Sequence, residues 1–152
     1  MRETLAIRLT LGFSSDDSHA RNGHLTAILF LAGRLLFGGL FVYNGVNHFR
    51  NYPAVRGYCA YKRIPRPGAA TIVSGVWLLV AGSSVVVGLR PEAGLVLIVL
   101  FLLVVTPLIH DFWNAADPGQ RLGDFVNFTK NAALLGAALM MLLLPRPWPY
   151  SL

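Results

Sequence analysis

Three groups of polar side chains interrupt otherwise apolar stretches at helical spacing. In the first, Arg34, Phe37, Phe41, Asn44 and His48 step by three or four, so the arginine, asparagine and histidine share one helix face, with Asn47 beside them. The second is Pro107, His110, Asp111 and Asn114, with Trp113 inside it. The third places Asp124, Asn127 and Asn131 on one stripe, with Lys130 adjacent. An ionisable group at the centre of a membrane helix costs roughly 2.5 to 3.5 kcal/mol on insertion scales, so such groups turn toward a bundle interior or a wet cavity. His48, His110 and Lys130 could donate to the oxygens of a polar ring such as a quinone, with Tyr43, Phe112 and Trp113 stacking on it. The plainer alternative ties helices together: Asp111 neutralises Lys130 or Arg34, and the asparagines bridge backbone groups at about 0.6 kcal/mol per contact. A metal or haem held by His48 and His110 is geometrically conceivable, but two histidines without a repeated ligand spacing do not specify one, and no metal is expected.

The elements that must position these groups are apolar runs. Of the 152 residues 55% are hydrophobic and 13% charged, against about a quarter charged in an ordinary soluble domain. The expected fold is all-α: a polytopic membrane protein with a four-helix transmembrane bundle and spans at residues 25–49, 67–89, 92–112 and 125–144. Each is long enough for a hydrocarbon core of about 30 Å at about 1.5 Å of rise per residue. Residues 1–24 read as a flexible or interfacial tail, with an alternating stretch Leu5, Ile7, Leu9, Leu11, Phe13 and a polar hinge from Ser14 to Ser18. Residues 145–152, Pro-rich and unable to continue a helix, would offer an aromatic anchor at the interface. Only Arg90 and Pro91 separate spans two and three, which must form an antiparallel hairpin. Gly75 and Gly82 in span two, and Ala132, Ala133, Gly136 and Ala137 in span four, suit close helix packing within the bundle or in a homo-oligomer.

Because the spans alternate in direction, the end of span one, the end of span three and the start of span four share one membrane surface. Arg34, about 13 Å past Leu25, is expected near the midplane. The same surface carries the loop between spans one and two, with Arg50, Arg56, Lys62, Arg63 and Arg66 and no acid, among Tyr52, Val55, Tyr58 and Tyr61. That loop reads as an interfacial segment on anionic lipid. Basic residues near span ends favour a cytoplasmic loop and outside termini in a plasma membrane. The net charge of +6 suits anionic headgroups, and no aromatic and basic platform for nucleic acid is present. Cys59, the single cysteine, excludes an intrachain disulfide and a CxxC redox pair.

The run His110-Asp111-Phe112-Trp113, then Asp117-Pro118, then Phe128-Thr129-Lys130-Asn131 and Gly136, resembles the DoxX family, as does Gly45-Val46-Asn47-His48-Phe49 followed by Gly57-Tyr58 and Ile64-Pro65. The resemblance covers about residues 34–144. It implies a four-helix membrane bundle associated with membrane redox systems. The related DoxD subunit belongs to a thiosulfate:quinone oxidoreductase, other members accompany quinone or catechol detoxification, and some form complexes with superoxide dismutase and a sulfurtransferase. Many relatives carry a lysine near the position of His48 and a glutamate in span two; here no carboxylate lies between Pro67 and Leu89.

The expected function is an accessory or quinone-interacting subunit of a membrane oxidoreductase. Its candidate polar pocket is Arg34, Asn44, Asn47, His48, His110, Asp111, Trp113, Asn127, Lys130 and Asn131. The chain has no flavin, nicotinamide or metal motif of its own, so catalysis would need a quinone or a soluble or membrane oxidoreductase partner. The alternatives are a non-catalytic membrane anchor that recruits a soluble partner, or a small transporter or channel using Arg34 and Asp111 along a wet path.

Overall fold

A computed structural model describes residues 15–152, with side chains from residue 21 onward. The alternating stretch of residues 1–14 lies outside the described residues. Among the described residues five α-helices and one 3₁₀ turn follow in order: α1 (Ser15–Arg50), α2 (Tyr52–Tyr61), α3 (Pro67–Val87), α4 (Pro91–Ile109), the turn (Phe112–Asn114) and α5 (Pro118–Leu142). Four of these are long and apolar enough to cross a membrane, over Arg21–Arg50, Pro67–Val87, Pro91–Asn114 and Pro118–Leu142. The chain is a multi-pass membrane protein in a lipid bilayer, and its exposed face is accordingly apolar, with Leu36, Val73, Val104 and Met140 all well exposed.

Local signals set the helix ends, and three ends differ from the hydrophobic runs. α1 begins at Ser15, inside the expected polar hinge, ahead of the apolar run that starts at Leu25. Asp117 caps α5, its carboxylate accepting from the Gln120 amide at 2.7 Å with Pro118 in the first turn, so that helix starts seven residues before Phe125. α4 stops at Ile109, two residues after Pro107, and His110 has left helical geometry at φ −110°. A proline clashes with the carbonyl of the preceding turn and weakens the helix around it. At the other end of the hairpin α3 closes on Gly88 at φ +80°, a left-handed conformation that glycine adopts without a Cβ penalty. The loop between spans one and two is largely helical, as α2.

Helix α1 packs on α3, α3 on α4, and α4 on α5, whereas α1 and α5 do not pack closely on each other. The α1–α3 contact is the tightest and depends on glycine. A Cβ on Gly45 would lie 2.9 Å from the Leu79 amide nitrogen and 3.0 Å from the Gly75 carbonyl, and one on Gly82 would lie 2.8 Å from the Gly38 carbonyl. This is the close approach that small residues permit between membrane helices, as Gly75 and Gly82 suggested. Gly136 on α5 has nothing within 4 Å of a built Cβ, so its small-residue stripe is not used inside this bundle.

The core, Phe41, Leu78, Ala81, Val85, Leu95, Ile98, Leu102, Ala138 and Trp148, lies among the four long helices. Trp148 corrects an expectation. Residues 145–152 fold back onto the bundle, and the Trp148 ring, expected in an interfacial anchor, is 4% exposed and packs edge-on against Phe30 at 5.1 Å. Arg146 lies 4.8 Å from the Trp148 ring and pairs with Glu92 at 2.8 Å.

Candidate functional site

Arg34 was expected in the polar group near the midplane, but it lies at the opposite end of the bundle. It is 2% exposed beside Gly88, the end of α3, and its two terminal nitrogens donate to the carbonyls of Pro149 at 3.1 Å and Tyr150 at 2.7 Å. About 24 Å of α1 separate it from Arg50 by helical rise. The midplane estimate took Leu25 as the membrane boundary, whereas α1 continues well past the end of α3, leaving Arg34 level with the helix ends. Its function there is to bind the returning C-terminal segment.

The other end of the bundle collects an ion cluster. The Lys62 ammonium, on the residue that caps α2, lies 2.5 Å from Asp111 and 2.8 Å from Asp124, at the end of span three and in α5. The Lys62 side chain is 7% exposed and that of Asp124 is 4%. Tyr58 of α2 donates its hydroxyl to Asp124 at 3.1 Å, His110 places Nδ1 3.5 Å from the same carboxylate oxygen, and Asn114 donates to Asp111 at 3.1 Å. Burial alone would lower the lysine's pKa, but the hydrogen bonds to Asp111 and Asp124 outweigh it and hold the ammonium charged well above its ordinary range. Burial and then the bond to Asp124 raise the Tyr58 phenol. Both groups therefore stay protonated, and the cluster joins α2, the 3₁₀ turn and α5.

This pairing corrects the expected partners of Asp111, which were Lys130 or Arg34. It also supplies two residues outside the expected set. By sequence Lys62 is one of the surface bases of the loop, and Asp124 belongs to the α5 stripe but not to the expected pocket. Nothing in the spacing of Lys62 or Asp124 marks them as partners; only the fold of α2 against α5 brings them into contact. Among the described residues no group of three or more His, Cys, Asp or Glu is arranged to hold a metal ion.

Beneath the cluster, in the gap between α1 and α5, is a cavity of about 490 Å³. Six of the ten expected residues line it: Asn44, Asn47 and His48 from α1, His110 from the end of span three, and Lys130 and Asn131 from α5. Its walls are apolar, from Phe41, Leu78, Phe101, Leu102 and Leu134, with Tyr58 and the buried Cys59 also at its edge. Helical spacing presents the polar groups to the gap: Asn44 and His48 one turn apart on α1, Lys130 and Asn131 side by side on α5.

Local hydrogen bonds set what each group can offer. His48 Nδ1 lies 2.7 Å from the Asn44 carbonyl, which can only accept, so Nδ1 carries the proton and in the neutral ring Nε2 keeps its lone pair. The Asn44 amide donates to the Leu40 carbonyl, and the Asn47 side-chain oxygen accepts from Asn51. Lys130 donates to Asn127 at 2.8 Å, and Asn127 in turn donates to the Gly123 carbonyl outside the cavity lining. The expected aromatic stackers are elsewhere. Trp113, Phe112, Phe125 and Phe128 form their own edge-on cluster, with centroids 5.0 to 5.8 Å apart, and Tyr43 is 69% exposed. Phe41 and Phe101 provide the cavity's aromatic surface.

A family model described as DoxX matches residues 29–111, more than half of the chain. Comparison with curated proteins and with solved structures yields no match. The matched region contains α2, α3, α4 and most of α1, with Lys62 and Asp111, and stops before α5, whose Asp124, Lys130 and Asn131 complete the cluster and the cavity.

Proposed function

Because this chain belongs to the DoxX family, we propose that it is an integral membrane subunit of a quinone-linked redox system and that the cavity between α1 and α5 takes the quinone ring. The observation that carries this reading is the cavity itself: about 490 Å³ with mainly apolar walls and polar groups from α1, the end of span three and α5 in its lining, within the roughly 300 to 1,000 Å³ of small-molecule sites. A quinone needs hydrogen-bond donors for its oxygens, which Lys130 and Asn131 provide, and its reduced form needs an acceptor for a hydroxyl, which Nε2 of neutral His48 provides. Phe41 and Phe101 supply ring contact, and the gap between α1 and α5 is an entry from the acyl region for an isoprenoid tail. The Lys62 cluster fixes α2 and α5 above the cavity and so holds its shape.

The chain supplies position, and electrons come from a partner oxidoreductase. Exposed Arg50, Arg56, Arg63 and Arg66, next to the cluster, form the face on which a partner with an acidic surface would dock, and their charge favours the cytoplasmic side. The test is equilibrium binding of short-chain ubiquinone and menadione to the purified protein in nanodiscs. Saturable binding is expected, weakened by about 10-fold or more by His110→Ala or Lys130→Ala, as befits loss of a hydrogen bond involving a charged or polar group. Absence of saturable binding, or binding indifferent to both changes, rejects the site and leaves a membrane anchor.

A further inference from the structure

The charges around the cavity are all of one sign. Among the described residues no aspartate or glutamate lines it, while Lys130 does. The two nearest carboxylates, Asp111 and Asp124, face Lys62, and Asp124 is 4% exposed in that pairing. Lys130 follows Asp124 on α5 by six residues, which sets it about 9 Å along the helix from the cluster. Its ammonium has a neutral partner, the Asn127 amide oxygen at 2.8 Å, and among the described residues no carboxylate lies within the 4.0 Å of an ion pair. The titratable groups facing the cavity from the other elements are His48 on α1, Tyr58 and Cys59 on α2 and His110 at the end of span three; none of them is a carboxylate. Lys130 is exposed on the bundle surface, but it sits within a helix long and apolar enough to cross a membrane, where an exposed group meets acyl chains and not bulk water; with only an amide for company its charge is poorly compensated there, and an anion delivered by a ligand would compensate it.

We propose that the ligand of this cavity bears an anionic oxygen on an apolar body, in the class of acidic hydroxyquinones and other ionised amphiphiles, and that Lys130 recognises that charge. This rests on the reading that the cavity is a ligand site and narrows its occupant from any quinone to an ionised one. His48 fits the same class, since its free Nε2 can accept the proton of an acidic hydroxyl and leave an imidazolium beside the anion. The Lys62 cluster contributes by keeping both carboxylates turned away from the cavity, so that the anion meets no like charge at the lining. The competing role for Lys130 is to reach lipid phosphate at the boundary, in the direction of Asn127.

The experiment uses the full-length protein in phosphatidylcholine nanodiscs at neutral pH, with three probes. These are 2-hydroxy-1,4-naphthoquinone, which is ionised there, its neutral parent 1,4-naphthoquinone, and dodecanoate, an anion without a ring. The hydroxy compound is expected to bind about 10-fold more tightly than the parent, a preference lost in Lys130→Met and retained in Lys130→Arg; Lys130→Gln replaces the methionine variant should that one not fold. Competition by dodecanoate supports recognition of the anion alone, and its failure to compete supports recognition of a ring bearing one. Equal affinity for the two naphthoquinones, or a preference for the ion that survives Lys130→Met, overturns the proposal and leaves the quinone reading standing. Binding of neither naphthoquinone removes the quinone reading; dodecanoate held through Lys130 would then keep the anion site, and dodecanoate without effect removes it as well.

Discussion

Replacing Lys62 with methionine removes the one cation held between Asp111 and Asp124 while keeping most of the side chain's apolar length. Two carboxylates remain facing each other across the vacated position, and they are not equivalent: the Asp124 side chain is 4% exposed and that of Asp111 is 24%. Breaking a buried ion pair by deleting one partner costs about 3 to 5 kcal/mol, most of it the desolvated charge left behind. That cost falls on Asp124, since water reaches Asp111. Lys62→Met is therefore expected to lower unfolding stability by about 3 to 5 kcal/mol, and Asp124→Asn by about 2 to 3 kcal/mol through lost charge-assisted bonds. Asp111→Asn should cost about 1 kcal/mol, because its partner keeps Asp124 and its own site is partly wet. Neutralising the stranded carboxylate should recover part of the loss, so the Lys62→Met, Asp124→Asn double variant should be more stable than Lys62→Met alone by at least about 1 kcal/mol. Denaturation by SDS in mixed micelles, followed by circular dichroism, measures all four. A Lys62→Met penalty below about 1 kcal/mol, or a larger loss for Asp111→Asn than for Asp124→Asn, would refute the claim that this buried cluster holds α2 to α5.

The same cluster sets an alkaline limit. Lys62 and Tyr58 have pKa values raised above their ordinary 10.5 and 10.0, so their contribution is complete below about pH 10 and is lost as pH rises through the raised folded values. A stability profile that is level from neutrality to about pH 10 and falls beyond it is expected, with the fall reduced in Lys62→Met; a decline already under way at about pH 8 would contradict the assignment. Gly45→Ala forces a methyl against the Leu79 amide and the Gly75 carbonyl and should cost about 1 to 3 kcal/mol, whereas Gly39→Ala, with nothing within 4 Å of the built Cβ, should be neutral or stabilise by up to about 1 kcal/mol in the same titration. Equal effects at the two positions would show that α1 and α3 are not in close contact there. Arg34→Gln weakens the hold on the Pro149 and Tyr150 carbonyls, so a thiol introduced by Ser151→Cys in a Cys59→Ala background should react at least about 10-fold faster with a maleimide than it does with Arg34 intact. An unchanged rate would mean that Trp148 and Arg146 suffice to seat the segment.

What the sequence determined by itself was the solvent of the fold and the number of crossings. Apolar runs long enough for a bilayer have few alternatives, because an unpaired backbone group in hydrocarbon is too costly for any open structure, and so the all-helical bundle could be read from composition and run length. The position of the polar face was legible for a related reason: helical spacing fixes which residues share a stripe, and the alternation of spans brings the end of the first and third and the start of the fourth to one side. Asn44, Asn47, His48, His110, Lys130 and Asn131, which that spacing and alternation place at one end, line one cavity. Helix ends were legible where a capping residue was noticed and missed where hydropathy alone was used, as at Asp117.

Only tertiary structure could decide which charges pair. Periodicity places residues on faces within a helix but says nothing of the rotation of one helix against another, and ion pairing depends on distances of a few ångströms across that gap. Lys62 looked like one more surface base until α2 folded under the bundle end and carried its ammonium between two aspartates. Arg34 looked like a midplane group until α1 extended past its neighbours and the last residues returned to meet its guanidinium with carbonyls. In both cases a long flexible side chain took the partner that the assembled helices brought within reach.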